Sequence, residues 1–95
     1  MMENKFEIKR SSRFKKDYKR VKKRGYDLSL LAKVIEILAK GEVLPAEYND
    51  HMLIGDLQSF RECHIEPDWL LIYKISGETL ILTLTRTGTH SDLLE

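Results

Sequence analysis

The chain carries three histidines, His51, His64 and His90. Imidazole is the side chain whose unperturbed titration lies nearest neutrality, so two of them on opposite sides of a bond suit the roles of general base and general acid. Cleavage of RNA by its own 2′-hydroxyl needs such a pair and a cation for the developing phosphorane charge. Arg86, close before His90, is a candidate for that cation. Asp68 joins the three histidines at loops or strand ends in the second half, where a rigid scaffold usually carries its reacting groups. None of the histidines has the helical i, i+4 spacing of a metal motif. His51, His64, Asp68 and His90 have the ligand types for zinc, but their spacing does not argue for it. Cys63 beside His64 resembles a nucleophile and its base, yet neighbours on a strand point to opposite faces. If His64 lines a site, Cys63 turns into the core.

These residues need elements to position them. Phe6-Glu7-Ile8-Lys9 alternates as a short half-buried strand. Ser11 and Ser12 offer caps for a helix through Arg24 with Phe14, Tyr18 and Val21 on one face, ended by Gly25. Asp27 caps a second helix to about Lys40, striped by Leu31, Val34, Ile35 and Leu38 and ended by Gly41. From Gly41 to Gln58 nothing sustains either period, so Pro45 and Glu47 to His51 read as a loop. Three strands follow, Phe60 to Glu66, Trp69 to Ile75 and Thr79 to Thr85. Pro67-Asp68 makes the first turn and Ser76-Gly77 a two-residue hairpin loop. Trp69 to Tyr73 is apolar on both faces and reads as a central strand. A last helical turn fits Ser91 to Glu95. The expected fold is α+β, in the order β-α-α-β-β-β with a short C-terminal turn or helix. A small, mainly antiparallel sheet packs on an N-terminal two-helix hairpin, in one domain over residues 1–95.

The 95 residues include one cysteine, which excludes an internal disulfide, and no apolar run approaches a membrane span. A cytoplasmic protein is expected, without membrane contact. The net charge of +1 hides a division: residues 1–24 hold eleven basic and three acidic side chains, a net +8, and the remainder carries −7. The basic run reads either as a solvated helix face or, since its cations exceed what solubility requires, as a surface for a phosphate-rich partner or an acidic protein, with Lys15, Lys16 and Lys19 among the candidate contacts. Core packing is the default for Trp69 and Tyr73, but Trp69 starts its strand after Asp68, at an edge, where its ring could instead stack on a base.

The run Cys63-His64-Ile65-Glu66-Pro67-Asp68-Trp69-Leu70-Leu71-Ile72-Tyr73-Lys74, preceded by Asp50-His51-x-Leu53 and followed by Arg86-Thr87-Gly88-Thr89-His90-Ser91, closely resembles the YafQ branch of the RelE/ParE toxin superfamily. The likeness covers nearly the whole chain. It implies a RelE-like fold and the toxin of a type II toxin–antitoxin pair, an endoribonuclease that cuts mRNA in the ribosomal A site and is silenced by a cognate antitoxin. Partners would be that antitoxin and the ribosome with its mRNA, and the protein would be a monomer or part of a toxin–antitoxin hetero-oligomer. Family catalytic positions fall on His51, His64, Asp68 and His90, with Arg86 as the phosphate-contacting cation and no metal or other cofactor. The resemblance puts Trp69 on the substrate side, and Arg61, Lys15, Lys16 and Lys19 are further candidate substrate contacts by their charge. In that scheme His90 is the general acid to the 5′-oxygen, Asp68 or His64 the base, and His51 positions the substrate or shares in proton transfer. Where the family often has an aromatic near its C-terminus, this chain has Leu93 and Leu94.

Two other readings stand beside it. One is a non-catalytic ParE-like toxin acting on DNA gyrase, which has no need of acid/base residues around one cleft. The other is a small RNA- or protein-binding module with incidental histidines. Grouping of His51, His64, Asp68 and His90 in one cleft would disfavour the module, and dispersal over several faces would favour it.

Overall fold

The computed structural model describes residues 4–55 and 59–94. Ser11 caps the first helix, α1 (Ser12–Lys23), by accepting a hydrogen bond from the Phe14 backbone N–H, and its hydroxyl donates to the Thr85 carbonyl. Arg20, Lys22 and Lys23 occupy the last turn, where the helix dipole favours cations. Gly25, at φ +83°, takes the left-handed conformation that ends the helix at no side-chain cost. Asp27 then caps α2 (Leu28–Ala39) through the Ser29 backbone N–H. Phe14 and Val21 of α1 and Leu31, Val34 and Leu38 of α2 enter one apolar core, as the helical spacing predicts.

Five strands form one sheet in the order β1-β5-β4-β3-β2. They are β1 (Glu7–Arg10), β2 (His51–Met52), β3 (Arg61–Glu66), β4 (Trp69–Ser76) and β5 (Ile81–Gly88). Only the β1–β5 pair is parallel among these, so the sheet is mixed and mainly antiparallel. Cys63, Ile65, Trp69, Leu71, Tyr73, Leu82 and Leu84 face the helices and complete the core. Leu70 and Ile72 are also buried but lie outside that cluster, on the other face, so β4 is covered on both sides as expected of a central strand.

Several boundaries differ from the sequence reading. The expected loop before residue 58 contains a 3-10 turn (Ala46–Tyr48) and the two-residue β2, too short to show any periodicity. The β4–β5 loop has four residues, since Ser76 pairs with Ile81, and β5 starts two positions late and runs on to Gly88. The Ser76 hydroxyl holds Thr79, and Leu80 adopts φ +56°, with its carbonyl accepting from the Glu7 N–H of β1. Thr79 and Leu80 have strand-forming side chains but serve the turn. β1 begins at Glu7 and is exposed throughout, the buried aromatic Phe6 lying just before it. The C-terminal turn is a helix, α3 (His90–Leu94), starting one residue early at His90 itself.

Candidate active site

Strand register assembles the site on the face of the sheet away from α1 and α2. Along β3, Glu62 and His64 share one face and Arg61, Cys63 and Ile65 the other. His51 of β2 pairs with Glu62, and His64 pairs with Leu70, which pairs with Gly88 of β5. The register slips between His64 and Glu66, a bulge of the kind that bends a strand and re-aims side chains beside functional sites. Two residues beyond Gly88 the chain reaches His90.

The three imidazoles consequently form a row. Ring centroids lie 6.3 Å apart for His51 and His64 and 5.8 Å apart for His64 and His90. The Asn49 carbonyl lies 2.8 Å from His51 Nδ1, and the Pro67 carbonyl 3.3 Å from His64 Nδ1. A carbonyl oxygen only accepts, so each Nδ1 carries a hydrogen and Nε2 is the atom left to take or give a proton. Glu62 Oε1 stands between those two atoms, 3.4 Å from His51 Nε2 and 3.9 Å from His64 Nε2. His90 is held from the turn between β3 and β4: Asp68 Oδ1 accepts from its Nδ1–H at 2.6 Å and from its backbone N–H at 3.1 Å. Those two bonds, the side-chain bond foremost, keep the Asp68 carboxyl below the ordinary aspartate range. The carboxylate thus fixes which ring nitrogen is protonated and leaves His90 Nε2 for chemistry, the orienting role of the acid in a catalytic triad.

His51, His64, Asp68 and His90 therefore come together in one place, which disfavours the reading of incidental histidines. Glu62 escaped the sequence reading, although it shares the alternation that places His64, and it is 9% exposed. Cys63 faces the core as expected, and burial pushes its thiol up to about 12.

Trp69 does not lie at an edge. It is 1% exposed, its ring packs edge-on against Tyr26 at 4.9 Å, and its Nε1–H donates to Thr87 Oγ1. The alternation that turns Cys63 inward also turns Trp69 inward once Asp68 faces the site. Core packing, the default reading, therefore holds for Trp69, and the substrate-stacking role is corrected. Arg61 likewise falls on the helix face of β3 and binds Asp50 with Nε and one terminal nitrogen. Asp50 also accepts from the Tyr73 hydroxyl, so Arg61 and Tyr73 anchor the segment that presents His51 rather than a substrate. Burial and the neighbouring Asp50 together raise the Tyr73 phenol above its usual range.

Arg86 pairs with Ile72, in the cross-strand row that also contains Glu62 and His51, but its guanidinium is already engaged. Asp17 of α1 accepts from its Nε at 2.7 Å and from a terminal nitrogen at 3.2 Å. Arg86 and Leu93 line a small cavity of about 190 Å³ with Arg13, Phe60 and Ile72. The Leu94 side chain lies outside the described residues. Lys15, Lys16 and Lys19 are exposed on α1, and Lys15 and Lys19 border Phe14, Tyr18 and Arg10. No group of three metal-ligating side chains is arranged to hold an ion among the described residues, and no helix among them is long and apolar enough to cross a membrane.

Residues 6–95 match the family model described as the bacterial toxin of the type II toxin–antitoxin system, YafQ. The chain is 40% identical over 88 residues to the mRNA interferase toxin YafQ of Escherichia coli K12, covering 92% of this chain and 94% of that protein. The toxin in the crystal structure of the E. coli DinJ-YafQ toxin–antitoxin complex superposes with a TM-score of 0.88 at 38% identity, covering 96% of this chain and 99% of that one. A metal-bound toxin from Helicobacter pylori superposes with a TM-score of 0.87 at 46% identity, covering 93% and 98% respectively.

Proposed function

The chain belongs to the YafQ family of type II toxin–antitoxin toxins, and on that premise we propose that it is an mRNA interferase cutting by acid/base catalysis on the row His51, His64 and His90. The observation that carries this reading is the Asp68–His90 pair facing His64 at 5.8 Å, close enough for both rings to reach one phosphodiester. His64 Nε2, beside Glu62, takes the proton of the substrate 2′-hydroxyl, and the 2′-oxygen attacks phosphorus. His90 Nε2 gives its proton to the departing 5′-oxygen, leaving a 2′,3′-cyclic phosphate and a 5′-hydroxyl. Asp68 orients His90, so the base falls to His64 and not to Asp68. His51 shares Glu62 with His64 and holds the substrate or relays the proton. Arg86, kept in place by Asp17, offsets charge on the phosphorane. No step calls on a metal.

The substrate is mRNA in the ribosomal A site, which makes the cytoplasm the place of action. Lys15, Lys16 and Lys19 meet ribosomal phosphates, and a cognate antitoxin is the silencing partner, as DinJ accompanies YafQ in the E. coli complex. The test is cleavage of a translated mRNA by wild type, His90→Ala and His64→Ala, with the product ends identified. Loss of about 10²- to 10⁴-fold in each variant, with the fold retained and a cyclic phosphate from wild type, is the expected result. Full activity in either variant removes that histidine from its role.

A further inference from the structure

Asp92 connects the helix that carries His90 to the far end of α1. Its Oδ2 accepts from Arg24 at 2.7 Å and its Oδ1 from the same guanidinium at 3.1 Å, a bidentate pair, and Arg20 approaches Oδ1 at 3.3 Å. Oδ2 also accepts from the Thr89 N–H at 2.9 Å, and the Thr89 hydroxyl accepts from the Asp92 N–H at 3.1 Å. Those reciprocal bonds close the first turn of α3, which contains His90. Gly88, at φ +152°, makes room for it: a Cβ there would lie 2.8 Å from Asp92 Oδ2. Asp92 is held well below the usual carboxylate range, chiefly by Arg24, so it stays ionised through neutral pH. A five-residue helix has too few internal hydrogen bonds to hold its own position. Asp68 tethers its first residue from the β3–β4 turn, and the two arginines tether its third from α1.

We propose that Asp92, through Arg24 and Arg20, is a positioning residue that sets the placement of His90 against His64. The inference rests on His90 acting as the acid in the proposed cleavage, although the placement itself can be read without RNA. Asp92 reaches Arg24 and Arg20 and the turn at Thr89, and it positions His90 through the backbone that bears it. With the clamp removed, α3 pivots about its Asp68 contact and the separation of His90 from His64 ceases to be fixed. Misplacement of an acid by about 1 Å lowers turnover without weakening substrate binding at remote contacts.

The experiment compares full-length wild type, Asp92→Asn, Arg24→Gln and Arg24→Lys by NMR of the histidine rings and by saturation kinetics on translated mRNA. In Asp92→Asn and Arg24→Gln the His90 ring signals should shift and broaden while those of His51 and His64 hold. Turnover should fall about tenfold at unchanged KM. Arg24→Lys, which keeps the charge but not the fork, should recover part of both effects. Unchanged His90 signals together with unchanged turnover in the folded variants would overturn the proposal, as would equal movement of all three rings, which marks general loosening. If Asp92→Asn fails to fold, Arg24→Gln decides from the exposed side of the pair. If wild type does not cut mRNA, the proposed function fails and the ring signals alone decide the positioning.

Discussion

At the scale of residues, the division between site and core follows the side on which each strand residue stands. Asp68 and Trp69 are neighbours with opposite duties: one orients His90, the other fills the space between the sheet and Tyr26. Thr87 Oγ1 accepts from the indole and donates to the Leu70 carbonyl, so the Trp69 N–H is part of a satisfied buried chain. Trp69→Phe removes that donor and some ring volume. It should cost about 2 kcal/mol in stability, measured by urea unfolding, and leave turnover on mRNA within about twofold of wild type. A fall in turnover of about tenfold without a matching stability loss would return the ring to the substrate. The histidines and Asp68 were legible because reacting groups and their spacing are carried by residue type. Trp69 misled because strand position alone does not reveal whether an end is covered. Glu62 was legible in principle, being two residues before His64, but a lone glutamate on a strand has no chemical signature until β2 brings His51 across from it.

At the scale of elements, α1 does more than cover the sheet. β1 pairs only with Ile81 to Leu84, so the rest of β5 has a free edge, and α1 closes it. The Ser11 hydroxyl reaches the Thr85 carbonyl, and Asp17, 1% exposed, accepts from the Thr87 N–H and the Arg86 guanidinium. The register of β4 and β5 slips here, Ile72 facing Arg86 and Tyr73 facing Leu84, which leaves Thr85 as the extra residue. Asp17→Ala would strand a buried N–H and a half-buried guanidinium, at a cost of about 3 kcal/mol. Combined with Arg86→Ala in a double-mutant cycle, it should show coupling of about 1 kcal/mol or more. Strict additivity would mean that the Asp17–Arg86 pair is solvent-screened and that α1 is held to β5 by the Ser11 and Thr87 hydrogen bonds and by apolar packing instead. The helices were legible from caps and a 3.6-residue period, which are local signals. The bulge and the four-residue loop were not, because both depend on which strand lies alongside. A parallel β1 meeting Leu80 and Leu84 decides where β5 starts and bends.

At the scale of the whole molecule, the +1 total is spread over a body about 34 × 33 × 28 Å. Those dimensions are several times the screening length of about 8 Å at physiological salt, so charges on different faces act on partners nearly independently. Part of the basic excess is already neutralised, Arg24 and Arg20 by Asp92, but Lys15, Lys16 and Lys19 remain exposed on α1. The histidine row lies instead among Glu62, Glu66 and Asp68. A free RNA strand entering that row gains little long-range attraction there and must be anchored elsewhere. Anchoring through the three lysines gives a binding slope against the logarithm of salt of about −2 for single-stranded RNA. Replacing all three by alanine should flatten that slope by about the same amount and slow cleavage of free RNA. On a ribosome, which itself holds the message, loss of the same lysines should appear as a raised KM for docking, with turnover at saturation falling less. Binding and cleavage followed from about 50 mM to about 200 mM salt would decide it. Efficient cutting of free RNA with a flat salt response, unchanged in the triple variant, would mean that the acidic surroundings of the site do not limit access and that α1 serves another surface.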